Sequence, residues 1–170
     1  MTAERDPIAE ARSQWVGHGW EDAADGMVMV TSLVRAQQLL MERLDAVLRP
    51  LGLTFARYEL LRLLSFTRTG AMPMSRLGSL LQVHPTSVTS AVDRLVAQGY
   101  VERLRREQDR RVVLASITPS GLEVVEQATE GLNAEVFTSP GLTAQQVTDL
   151  AELLGALRAA AGDVVAQPIR

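Results

Sequence analysis

Five arginines, Arg103, Arg105, Arg106, Arg110 and Arg111, fall within nine residues of a chain whose 17 basic side chains are outnumbered by 20 acidic ones. Guanidinium groups make forked, charge-assisted contacts to phosphate, and no lysine occurs to dilute them. A local basic cluster in an acidic protein points to a polyanion contact. A solvated hairpin whose arginines pair with Glu102, Glu107 and Asp109 would give the same run, so the cluster has to be read with its neighbours. Just upstream lie Thr86, Ser87, Thr89 and Ser90. Small hydroxyl residues support a solvated helix poorly, but they suit a helix end that enters a DNA groove.

Local signals define the elements that must carry these groups. Pro85 favours a first helical position and pushes His84 out of the helical region, so a helix is expected to start at Pro85. Gly99 ends it. Val88, Val92 and Leu95 recur at three- and four-residue spacing and form its buried face. After Gly99 two runs, 100–106 and 111–118, alternate with period two and predict a hairpin with a charged tip. Val113, Ala115 and Ile117 face one side, and Val112, Leu114 and Ser116 the other. Residues 76–82 read as a preceding short helix with Ser75 as its cap and Leu77, Leu80 and Leu81 inward. The tight turn at Val83 and His84 then gives a helix-turn-helix.

The ordered set HPTSVTSAVDRLVAQGYVER, DRR at Asp109 to Arg111 and ITPSG at Ile117 to Gly121 resembles the MarR family of bacterial transcription regulators, over roughly residues 25–162. Each motif is weak alone, but their order is specific. The resemblance implies a mainly α fold with a small β-hairpin wing, a winged helix-turn-helix flanked by N- and C-terminal dimerisation helices. It also implies a homodimer on pseudo-palindromic double-stranded DNA, acting as a repressor of its own or neighbouring genes. The expected DNA contacts are Ser75, Arg76, Pro85, Thr86, Ser87, Thr89, Ser90 and Arg94, with Arg105, Arg106 and Arg110 on phosphates. At the wing tip Asp109 would orient Arg111 into the minor groove. Release by a small aromatic or anionic effector is a further implication, with Trp15, Trp20, Arg57 and Tyr58 as lining residues. In the urate-responsive branch of the family, Trp15 or Trp20, Glu59 and Arg103 would stand at the ligand positions. This chain departs from that branch by carrying Glu59 in place of an aspartate and Ala91 in place of a recognition-helix arginine. A winged-helix module that docks only to protein is the alternative.

Composition bounds the remaining classes. With 170 residues, 46% hydrophobic and 22% charged, the chain fits one globular domain. A net charge of −3 disfavours indiscriminate nucleic-acid binding. The absence of cysteine removes thiolate metal sites and thiol redox sensing. No phosphate-cradling glycine loop, nucleophile elbow or metal spacing is visible, so neither an enzyme nor a cofactor is expected. The N-terminus lacks a basic start and apolar core, and no run is long enough to span a membrane, which predicts a cytoplasmic protein.

The flanking segments are expected to form the dimer. Residues 1–23 read as an arm with a short helix near Ile8 to Val16 followed by a loop. Residues 24–52 carry a helix of about seven turns ending at Pro50, apolar over more of its girth than a surface helix needs. Residues 53–118 hold the winged region, starting with a helix capped by Thr54 whose inner row is Phe55, Tyr58, Leu61 and Leu64; 68–73 read as a loop. Residues 119–170 supply a helix from Pro119 to about Val136. A last helix follows, opened by the capping-box spacing of Thr143 and Gln146, with Val147, Leu150, Leu153, Leu154 and Leu157 along one side.

Overall fold

The computed structural model of the chain describes residues 6–164 other than 107 and 108, and the side chains of residues 106–111 lie outside the described set. The helices start at side chains that accept the first free N–H groups. Asp6 accepts from Ile8 N at 3.0 Å and opens α1 (Pro7–Gly17). Thr54 accepts from Arg57 N at 3.4 Å and opens α3 (Phe55–Ser65). Between them α2 (Glu21–Leu48) runs 28 residues, about 42 Å at the α-helical rise. It begins three residues earlier than the sequence reading has it, because α1 turns directly into it through 18–20. Pro50 closes α2 in a short 3-10 turn, and Gly52 takes φ 68° to reverse the chain.

Compact unit Met1–Ala128 holds the helix-turn-helix and the sheet. Here α4 (Met74–Leu81) and α5 (Pro85–Ala97) pack with α3 against β1 (Ala71–Pro73), β2 (Val101–Arg106) and β3 (Asp109–Ile117) in the antiparallel order β1-β3-β2. Leu48, Leu53, Leu60, Leu61, Leu64, Leu77, Val88, Val92, Leu95, Val101 and Val125 are fully buried. Each removes apolar surface worth roughly 1.5–3 kcal/mol from water.

Three expectations fail in one place. Residues 71–73, read as a loop, form β1, pairing Ala71 with Ser116 and Pro73 with Leu114. Pro73 ends that edge strand and its φ of −58° leads straight into α4, so no side-chain cap is made and Ser75 sits inside the first turn. With the helix advanced to Met74, Leu77 is buried but Leu80 is 50% exposed rather than inward.

A partly buried arginine ties α3 to α6 (Pro119–Leu132). Arg62, whose side chain is 14% exposed, donates from Nη1 and Nη2 to the Glu126 oxygens at 2.8 and 3.1 Å and from Nη2 to the Val125 carbonyl at 3.0 Å. The hydrogen bonds from Arg62 hold the Glu126 carboxyl below the usual range, and the same bonds raise Arg62. A carboxyl depressed by folding contributes stability above its unfolded pKa, near 4.3, and loses it as pH falls through the folded value. Thermal melting from pH 6 to pH 3 is therefore expected to fall more steeply in the wild type than in Glu126→Gln. Parallel curves would show that the fork carries no stability.

Compact unit Thr129–Arg170 holds the end of α6, a π-helical turn over Asn133–Phe137, and α7 (Ala144–Ala160). Both capping-box bonds are made: Thr143 Oγ1 accepts from Gln146 N at 3.3 Å, and Gln146 Oε1 from Thr143 N at 2.9 Å. None of the residues of α7 is buried, and Val147, Leu150, Leu153 and Leu157 all stand exposed. The middle of α2 likewise exposes Met29, Val30, Leu33, Val34, Leu40 and Met41. No helix among the described residues is long and apolar enough to cross a membrane.

Candidate nucleic-acid interface

The hydroxyl-rich face of α5 is presented by His84, expected as a turn residue and found as the helix cap. His84 has extended backbone, φ −60° and ψ 142°, and its Nδ1 accepts from Thr86 N at 3.3 Å. The Ser87 and Val88 N–H groups close on the His84 carbonyl at 2.9 and 3.3 Å. With Val88, Val92 and Leu95 buried, Thr86, Ser87, Thr89, Ser90 and Arg94 are left exposed. Thr89 donates to the Pro85 carbonyl at 3.1 Å, so its outward oxygen is an acceptor. Ser75 and Arg76 are exposed on α4, and Ser75 shares a groove with Pro85 and Thr89.

The wing is fastened to the far end of this helix. Gly99, at φ 76°, lets Tyr100 N reach the Leu95 carbonyl at 2.9 Å and turns the chain into β2. The Gly99 carbonyl then accepts from both Thr118 Oγ1 and Ser120 Oγ, at 2.8 and 3.1 Å. Arg103 on β2 pairs with Asp93 on α5 at 2.7 Å. The hairpin register runs from Val101 opposite Ile117 to Arg105 opposite Val113, and shifts between Arg105 and Arg106. Arg105 is exposed. The side chains of Arg106, Asp109, Arg110 and Arg111 lie outside the described residues.

A second groove runs between the start of α3 and α5, lined by Thr54 and Arg57 on one side and Thr86, Ser87, Ser90, Ala91 and Arg94 on the other. It brings two guanidinium groups beside four hydroxyls. Such a surface can hold phosphate and hydrogen-bond base edges.

A winged arrangement of this kind recurs in known proteins. The family model for the MarR family matches residues 53–113. The multiple antibiotic resistance protein MarR of Salmonella typhimurium is 32% identical over 113 residues, 65% of this chain and 77% of that protein. The crystal structure of Sco5413, a MarR family transcriptional regulator from Streptomyces coelicolor, is 46% identical, with a TM-score of 0.74 over 84% of this chain and 99% of that one. The chain belongs to the MarR family. Another MarR family member from Streptomyces coelicolor, Sco3205, was crystallised in complex with DNA and is 26% identical, with a TM-score of 0.69 over 79% of this chain and 86% of that one. This MarR-family chain is thus a transcriptional regulator, with a mostly helical fold and a small antiparallel wing.

Within one chain of this MarR-family protein the six effector candidates lie at several places. Trp15 and Trp20 meet edge to face at 5.4 Å in the α1–α2 corner, with His18 stacked on Trp20. Arg57 faces α5, as above. Tyr58 is buried and stacks on Phe55 at 6.0 Å, and with Glu59 it lines a depression that also takes in Leu80, Leu81 and Gln82. Partial withdrawal of Glu59 from water there pushes its carboxyl above the usual range. Arg103 is engaged by Asp93. Among the described residues no group of three or more acidic or histidine side chains is disposed to hold a metal.

Gln98, unmarked in the sequence, caps the C-terminus of α5 and bonds both Arg57 and the Gly52 carbonyl. Nothing in the local pattern marks it, because its partners lie more than forty residues away in the chain.

Proposed function

We propose that this protein is a homodimeric repressor that reads pseudo-palindromic double-stranded DNA, α5 of each subunit entering a major groove and each wing an adjacent minor groove. The observation that carries it is the exposed hydroxyl face of α5, with an arginine-rich hairpin fixed to the end of the same helix. Two recognition helices about one DNA turn apart would read successive half-sites. Base contacts fall to Thr86, Ser87, Thr89 and Ser90, and phosphate contacts to Ser75, Arg76, Arg94, Arg105, Arg106 and Arg110. Small hydroxyls discriminate bases loosely, so DNA shape supplies part of the specificity. Sco3205, similar in fold, was crystallised in complex with DNA, which supports DNA binding here.

The exposed apolar side chains of α2 and those of α7 support the dimer. The protein acts by binding, without catalysis, in the cytoplasm. Release by a small aromatic or anionic effector belongs to the same reading.

The direct test is binding to labelled DNA from the gene's own upstream region, in a salt series against an unrelated duplex. Specific binding that weakens steeply with salt supports the reading; no binding to any genomic fragment at low salt overturns it. Within that assay Arg111→Ala is expected to weaken binding by roughly 1–3 kcal/mol, the scale of one good specific contact. Asp109→Ala should weaken it too, although it removes a negative charge. Tighter binding by Asp109→Ala would mean that Asp109 only repels phosphate.

A further inference from the structure

The amide of Gln98 is oriented without ambiguity by its partners. Its Oε1 accepts from Arg57 Nη1 at 3.0 Å, a group that can only donate, and its Nε2 donates to the Gly52 carbonyl at 2.9 Å, which can only accept. Arg57 Nε also donates to Thr54 Oγ1 at 3.2 Å. The guanidinium is therefore fixed in direction along two of its edges. Its Nη2 has no protein partner among the described residues, and Arg57 lines the groove shared with Thr86, Ser87, Ser90 and Arg94. Among the described residues no carboxylate lines that groove; the acid on α5, Asp93, is paired with Arg103.

A helix about 10–12 Å across fills a major groove about 12 Å wide, so the bordering phosphates must run along the helix flanks. Arg57 stands on one such flank. We propose that Arg57 holds a phosphate of the strand bordering the groove that α5 occupies, and that Gln98 is the positioning residue that aims it. The DNA contact surface then extends past α5 and the wing to the start of α3. Because Gln98 also holds Gly52, this phosphate clamp is tied to the turn that ends the long helix α2. A side chain added at Gly52 would come within 3.0 Å of Gln98 Nε2 at a φ of 68°, so the site favours glycine.

The inference rests on the DNA-binding reading, and one titration separates the two. Fluorescence anisotropy of the full chain on the duplex it selects is measured over a salt series for the wild type, Arg57→Gln, Arg57→Lys, Gln98→Ala and the double variant. Removing one phosphate contact per bound subunit lowers the slope of log affinity against log salt by about 0.9 per site, and Arg57→Gln is expected to show it. Arg57→Lys keeps the charge and the wild-type slope but binds more weakly, since it cannot make the fork to Gln98 and Thr54. It also keeps the proposal testable should Arg57→Gln fail to fold. Gln98→Ala is expected to lose about fivefold in affinity with little change in slope, and to add almost nothing once Arg57 is already Gln. A wild-type slope in Arg57→Gln, or fully additive losses in the double variant, would overturn the assignment while leaving DNA binding intact. If the wild type selects no duplex, both fall together.

Discussion

Gly121→Ala is expected to lower the unfolding free energy by about 3 kcal/mol, read as a shift of the urea midpoint at unchanged slope. A Cβ at this position would overlap the Tyr100 carbonyl oxygen and come within 2.8 Å of Ile117 Cγ1. Neither obstacle can retreat cheaply. The Tyr100 carbonyl accepts from Thr118 N at 3.0 Å, Gly121 N donates to Thr118 Oγ1 at 3.0 Å, and Ile117 N is bonded to the Gly70 carbonyl at 2.8 Å. The start of α6, the end of α5 and the base of the sheet meet here at backbone distance. A wild-type midpoint would mean that α6 can shift bodily, and that this junction is looser than its hydrogen bonds imply.

The double substitution Leu150→Glu and Leu157→Glu is expected to convert the protein to monomers and to reduce operator affinity more than about 100-fold, because a lone half-site reader loses the second helix's contacts. Both leucines lie on the exposed stripe of α7, a helix with no buried residue in the single chain. Carboxylates there would be solvated in a monomer but would cost several kcal/mol each when buried in a dimer. Light scattering gives the mass and far-ultraviolet circular dichroism checks that the helices remain. An unchanged dimer mass with full helicity would remove α7 from the interface.

Signals that act within a few residues were legible in the sequence. Thr54, Pro85, Gly99 and the Thr143–Gln146 pair start or stop helices where the residue types say they should. Spacing likewise placed Val88, Val92 and Leu95 inside. What failed depends on partners distant in the chain. A three-residue strand shows no alternation of its own and exists because β3 has an edge to offer Ala71–Pro73. That strand advances α4, which is why Ser75 is no cap and Leu80 faces outward. At the site, hydroxyls and arginines could be recognised by type. The bridge from Arg57 through Gln98 to Gly52 could not, since its donors and acceptors are ordinary residues joined only by the fold.

The supports of α5 are unequal along its length. At its C-terminal end the Gly99 carbonyl takes two hydroxyls, Gln98 is held by two partners and Asp93 is held by Arg103, while the cap at the other end is the single side chain of His84. Side-chain hydrogen bonds and ion pairs are thus concentrated where the helix meets the wing, while its first turns are held against α4 chiefly by the buried Val88. Over its 13 residues, about 20 Å, a tilt of only about 3° at the wing end moves the other end by about 1 Å. In the proposed DNA-binding mode, a small repacking at the Gly52–Gln98 joint would change the distance between the two α5 tips of a dimer, and so their match to the pitch of the double helix.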